Sequence, residues 1–200
     1  MNAPRIVLGV AGASGAALGL SVARQLSELG VEIDLVTSAA AERALAEECG
    51  ADALKTLRAL ATRCHAIENI GASIASGSVP VSGMIVAPCS MRSVAAIAHG
   101  LDDNLLTRAA GVQLKERRRL ILLAREAPLT LAHLRNMTAV TELGAIIFPP
   151  APAFYLKPNS VSDIVDQIAV RAIDLLGVSA PVAKQWAEAI DPNHPGRKPE

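Results

Sequence analysis

Aromatic side chains are nearly absent: one Trp, one Tyr and two Phe make up 2% of 200 residues. A core must therefore be built from Ala, Val, Leu and Ile. Cysteine is scarce too. Cys49, Cys64 and Cys89 are odd in number and form no CxxC, so neither a disulfide framework nor a zinc site is expected. Formal net charge is zero, which argues against a general nucleic-acid binder. The longest apolar runs fall far short of the ~20 residues of a membrane span, so no membrane partner is expected. The amino terminus shows no basic region followed by an apolar stretch and a cleavage site, so a cytoplasmic protein without a secretory signal is the expectation.

What is present is an apolar chain, 51% hydrophobic, in which strand and helix patterns alternate. "RIVLGVA", "VEIDLVTS", "GMIVAPC", "RLILLARE" and "AIIFPP" read as buried strands. Between them "SGAALGLSVARQLSEL", "AAAERALAEEC", "DALKTLRALATR", "SVAAIAHG", "NLLTRAAGVQLKERR" and "LTLAHLRNMTAVTELG" carry helical spacing, as does the closing "SVSDIVDQIAVRAIDLLG" with Ser160 as N-cap and Asp163 three residues on. Near-continuous apolar strands alternating with helices predict an α/β fold: a doubly wound, mainly parallel sheet covered on both faces, in a single domain over residues 1–190. The polar, proline-rich "DPNHPGRKPE" reads as a disordered tail at 191–200.

In such a fold the first strand-to-helix turn lies at the carboxyl edge of the sheet. Here it reads "GVAGASGAALG", with Gly9, Gly12 and Gly15 three apart, unlike the G-x-G-x-x-G of dinucleotide folds. Glycines let a backbone approach a ligand, and a helix N-terminus offers N–H groups to an anion. Asp34 follows about twenty residues on, yet the second strand ends in Thr37 and Ser38, whose hydroxyls suit a phosphate or flavin tail better than a ribose diol. A tight turn packed with glycines is the plainer alternative, as is simple helix capping for Ser38 and Ser90.

Further along come "ASGS" (75–78), "PCS" (88–90), "LLTRAA", "LKERR", "RE-PL", "HL-NM" and "PP-PAFY". Taken together, in order and spacing, these segments resemble the UbiX family, the flavin prenyltransferases. The resemblance runs from Arg5 to Gly177. It implies that reduced FMN is bound as substrate. A dimethylallyl group from dimethylallyl phosphate or pyrophosphate is joined to flavin N5 and C6 without a metal. The prenylated FMN then serves UbiD-type decarboxylases. The resemblance also implies a dodecameric homo-oligomer.

It assigns Gly12, Ala13, Ser14, Ser38, Ser90, Met91, Arg92, Ser93 and Arg125 to the flavin. Ser76, Gly77, Arg108, Lys115, Tyr155 and Arg171 are assigned to the donor, Tyr155 and Arg171 reaching in from a neighbouring subunit. Arg108 and Lys115, seven apart, share a helix face. Arg117 to Arg119 read as a solvated helix end.

Proton transfer falls to Ser14 with Glu48 or Glu126, a buried carboxyl of raised pKa being expected. Glu126 alternatively holds Arg125 or Lys115 in place. Glu48 lies about ten residues beyond Ser38, ~15 Å along a helix, so it reaches the site only if that helix runs alongside the flavin or a neighbour supplies it. His65, His99 and His133 read as surface or packing residues. Some relatives place a tryptophan where this chain has Ile70, leaving the flavin ring as the π surface. No histidine precedes His65, which argues against a peptidyl-cysteine decarboxylase. The remaining alternative is a non-catalytic flavin-binding or accessory subunit of a decarboxylase system.

Overall fold

The computed structural model describes residues 3–184. The expected tail at 191–200 and the domain end at 190 lie outside the described residues. Six parallel strands form one sheet in the order β3-β2-β1-β4-β5-β6. They are β1 (Arg5–Val10), β2 (Glu32–Thr37), β3 (Arg63–His65), β4 (Gly83–Cys89), β5 (Arg119–Ala124) and β6 (Ile146–Ile147). The helices are α1 (Ala16–Glu28), α2 (Ala39–Cys49), α3 (Ala53–Leu60), α4 (Met91–Ala98), α5 (Leu105–Lys115), α6 (Leu131–Glu142) and α7 (Val161–Leu176). This is the doubly wound architecture expected from the alternation. The strand order reverses between β1 and β4, which opens a crevice at their carboxyl ends.

The period-two alternation of side chains along a strand sorts the apolar runs onto two faces. Leu8, Leu35, Ile85, Ile121 and Leu123 pack beneath α1, α2, α3 and α7. Val7, Val36, Met84, Val86, Leu120 and Leu122 pack beneath α4 and α5. Both cores are aliphatic, as the shortage of aromatics requires.

One element departs from expectation. The helix expected through Arg63 stops at Leu60, and Arg63–His65 forms the edge strand β3. "RCH" carries no apolar run, because an edge strand exposed on one side needs none; its place is set by pairing with Asp34, Leu35 and Val36. Arg63 and His65 both reach the Asp34 carboxylate, which is fully buried.

Helix ends repeat one device. α1, α4 and α6 each finish in a Schellman motif with glycine in the left-handed position: Gly30 (φ 70°), Gly100 (φ 63°) and Gly144 (φ 106°). α5 closes with the same pair of bonds, Arg117 N–H to Leu114 O and Arg118 N–H to Gln113 O, but the left-handed residue is Arg117 (φ 56°). A side chain there meets its own backbone. Arg117→Gly is therefore expected to stabilise the fold by roughly 0.5–1 kcal/mol, the relief of strain less the added freedom of the unfolded chain. Thermal or denaturant unfolding measures it, and a destabilised variant would show that the arginine side chain contributes more than its backbone costs.

Candidate active site

The crevice at the switch point holds a cavity of about 340 Å³ lined by Gly12, Ser38, Ala40, Ser90, Arg92 and Ser93, among others. Two helix N-termini border it. Ser38 caps α2, its hydroxyl accepting from the Ala41 N–H at 3.1 Å. Ser90 caps α4, accepting from the Ser93 N–H at 3.3 Å, with the Ser93 hydroxyl 3.1 Å away. In each first turn the cap takes one N–H. The N–H groups of Ala39, Ala40, Met91 and Arg92 have no protein acceptor among the described residues. Arg92, exposed at the rim, pairs with Asp103, and that contact holds the Asp103 carboxyl below its ordinary range. No carboxylate lines the cavity.

The glycine turn works differently from the expectation of a bare helix N-terminus awaiting an anion. A Cβ on Gly12 would lie 2.3 Å from the Ala40 Cβ, so this glycine lets the β1–α1 turn close onto the first turn of α2. A Cβ on Gly19 would meet the Ala87 carbonyl at 2.7 Å. Packing therefore accounts for both. The N-terminus of α1 is already occupied. Its cap, Gly15 (φ 106°), has no side chain, and Glu48 takes that place: its Oε2 accepts from the Gly15 and Ala16 N–H groups, each at 2.8 Å.

Glu48 thus reaches the turn from within the same chain, because the last turn of α2 lies against the start of α1. The raised pKa expected of it is not found. Burial pushes the carboxyl up, but hydrogen bonds from Ala16, Gly15 and Ser14, with the Arg125 charge, outweigh burial and hold it below 4.5. Ser14, Glu48 and Arg125 are consequently assembled around one ionised carboxylate. Glu126 is not part of that group. It is exposed, its Oε1 accepts from the Ala127 N–H at 3.0 Å, and it holds neither Arg125 nor Lys115.

The residues expected at the donor fall into two places. Lys115, at the end of α5, pairs with Glu116, and this ion pair lies on the Ser76–Gly77 turn: a Cβ on Gly77 would meet the Glu116 carboxylate first and the Lys115 Nζ at 2.6 Å. Arg108, two turns earlier, is held by Asp102 at 2.9 Å. Tyr155 and Arg171 line a different cavity of about 580 Å³, between the 148–159 segment and α7, which shares no residue with the first.

Of the arginines expected in solvent after α5, Arg117 and Arg119 are exposed, Arg119 bonding to the Leu175 carbonyl at 2.5 Å, whereas Arg118 turns inward and donates to the carbonyls of Gly77 (2.6 Å) and Val79 (3.1 Å). His133 completes a capping box with Thr130, and His65 bonds to Asp34 at 2.7 Å, so both serve structure.

The fold is Rossmann-like α/β, and its switch-point cavity, between two serine-capped helices and free of carboxylates, suits a phosphate. The flavoprotein family model matches residues 1–173. The chain is 50% identical over 187 residues to flavin prenyltransferase UbiX of Neisseria meningitidis, covering 94% of this chain and 98% of the relative. It is 47% identical to a probable UbiX-like flavin prenyltransferase of Bacillus subtilis, covering 91% and 89%. Among solved structures, AnUbiX in complex with FMN and dimethylallyl pyrophosphate superposes with a TM-score of 0.88 at 46% identity, over 92% of this chain and 98% of that one. A dodecameric FMN-dependent UbiX-like decarboxylase from Escherichia coli O157:H7 gives 0.86 at 41%, over 91% and 98%. The chain belongs to this flavoprotein family and, within it, to the UbiX flavin prenyltransferases.

Proposed function

We propose that the chain binds reduced FMN at the switch-point cavity and transfers to it the dimethylallyl group of dimethylallyl phosphate or pyrophosphate, giving prenylated FMN for a UbiD-type decarboxylase. The observation that carries this reading is the cavity between two serine-capped helix N-termini with no carboxylate in its wall. The donor set fits FMN. Unpaired N–H groups and Arg92 suit its phosphate, the hydroxyls of Ser38, Ser90 and Ser93 suit a polyol, and an acid to clamp a ribose diol is absent from the wall. Bound there, reduced FMN supplies the nucleophilic N5 and C6 atoms.

The chain's own groups do the rest. Gly12, Ala13 and the Ser90–Ser93 segment shape the flavin cradle, with Arg125 at its edge. Arg108, Lys115 and the Ser76–Gly77 turn bind the donor phosphate, and converging cations stabilise the charge that grows on it as it leaves. Glu48, ionised and bonded to Ser14, is a ready proton acceptor, and the Ser14 hydroxyl is its link to the site. Glu126, exposed in the single chain, belongs to the second rank.

Tyr155 and Arg171 complete the donor site from a second subunit, since within one chain they face another cavity. Exposed Leu129, Leu131, Leu134 and Leu143 on and around α6, of which only Val140 is buried, support assembly into a homo-oligomer such as a dodecamer. Among the described residues no helix is long and apolar enough to cross a membrane, in keeping with a cytoplasmic enzyme.

The test is the mass of the flavin released after the reduced protein is incubated with FMN and either donor. A gain of one dimethylallyl unit is expected. Unchanged flavin with both donors would overturn the reading in favour of a non-catalytic accessory subunit.

A further inference from the structure

We propose that Arg118 is a positioning residue for the donor-phosphate site, acting through the Ser76–Val79 turn. The assignment rests on the reading above that this turn and Lys115 receive the donor phosphate. The end of α5 and the turn that follows it bring Lys115 and Arg118 to one glycine, Gly77. The Lys115–Glu116 ion pair lies against Gly77, where a Cβ would meet the Glu116 carboxylate first and the Lys115 Nζ at 2.6 Å, so an incoming phosphate takes the place of that carboxylate on Lys115. Arg118, half-buried, takes the Gly77 carbonyl at 2.6 Å and the Val79 carbonyl at 3.1 Å. Both carbonyls are thereby turned into a guanidinium.

Two consequences follow for an anion. Carbonyl oxygens repel phosphate, and here two of them are turned onto Arg118. A trans peptide sets its N–H opposite its carbonyl, so fixing the Gly77 oxygen on Arg118 aims the Ser78 N–H away from it, on the side of the Ser76 hydroxyl, 3.4 Å off. The Ser76 and Ser78 hydroxyls meet at 2.8 Å on the same turn. Lysine in place of Arg118 has a single nitrogen and cannot hold two carbonyls in a planar fork.

The strained end of α5 has its use here. The three glycine-ended Schellman motifs show what this chain uses where only the turn matters. At α5 the left-handed residue is Arg117, and the bond it permits, Arg118 N–H to Gln113 O at 2.9 Å, throws the Arg118 side chain back across the turn.

Arg118→Lys and Arg118→Gln are compared with Lys115→Ala and wild type for donor KM, kcat, FMN affinity and thermal midpoint. Both Arg118 variants are expected to raise donor KM by about tenfold or more, the equivalent of one charge-assisted hydrogen bond, while kcat stays within about threefold and FMN affinity within about twofold. A merely structural residue would lower the midpoint, kcat and FMN affinity together without singling out donor KM, and that result overturns the assignment. Donor KM raised in Lys115→Ala but unchanged in both Arg118 variants overturns it alone. Donor KM unchanged in Lys115→Ala removes the donor-site reading itself, and the assignment falls with it.

Discussion

Glu48→Gln is expected to lower kcat by about 100- to 1000-fold while leaving FMN affinity nearly unchanged, a loss of ~3–4 kcal/mol of transition-state stabilisation. The carboxylate is not in the wall of the flavin cavity, so binding has little reason to change. Its charge is what matters. One oxygen accepts two N–H groups of α1, Ser14 bonds to the carboxylate and Arg125 faces it. Glutamine keeps an acceptor oxygen but loses the charge and the basicity, and leaves Arg125 without its counter-ion. If Glu48 were only a helix cap, its loss would cost about 1 kcal/mol of stability and little rate. A kcat reduced by less than about tenfold would establish that lesser role.

The pH profile separates the alternatives again. A carboxyl held below 4.5 is ionised throughout the neutral range, so it is always ready as a base and is not a proton donor. The acid limb due to Glu48 must therefore lie below pH 4.5, and the stability it adds to α1 is present above that value and lost as pH falls through its lower folded pKa. An acid limb at about pH 6–7 that vanishes in Glu48→Gln would contradict the depressed carboxyl.

Glu48 also shows where reading a sequence stops. Ser38 and Ser90 were legible as caps at strand ends, because capping and anion binding use the same unsatisfied N–H groups of the following turn. The central strands were legible because a parallel sheet covered on both faces leaves near-continuous apolar runs. The docking of Glu48 on Gly15 and Ala16 was not, since it joins residues more than thirty apart through the packing of α2 on α1. Gly12 looked like a ligand-approach glycine, and only the position of Ala40 makes it a packing glycine. "KERRR" has the composition of a solvated helix end; that Arg118 turns inward depends on a left-handed residue which composition does not announce. β3 was invisible because three polar residues at a sheet edge carry no periodic signal.

The largest loss of stability is expected at Asp34, a position the sequence marked only by what it does not do. It lies too early in β2 to clamp a ribose, and its real partners come from the two flanking strands, β1 and β3. The carboxylate is fully buried and accepts from Arg5 Nε at 2.5 Å, from Arg5 Nη2 at 2.9 Å and from His65 Nε2 at 2.7 Å, with Arg63 at 3.4 Å. Burial alone would raise its pKa, but the hydrogen bonds from Arg5 and His65 and the charges of Arg5 and Arg63 prevail and lower it. Asp34→Asn preserves the shape and removes the charge, leaving Arg5 and Arg63 facing each other across a buried amide. The expected cost is about 3 kcal/mol, at the low end for a broken buried pair because both arginines keep some contact with water. For a chain of this size the thermal midpoint should fall by roughly 6–12 °C. The sign of the pH dependence follows from the lowered pKa. Wild-type stabilisation is complete above the unfolded value of 3.8 and disappears as pH falls below it, so the gap between the two proteins should narrow only in that acid range. Arg5 also bonds to the Ser73 hydroxyl at 3.3 Å, so the same change loosens the segment leading into the Ser76–Val79 turn. A loss below about 1 kcal/mol would mean that water reaches the amide and that the cluster is worth no more than a surface pair.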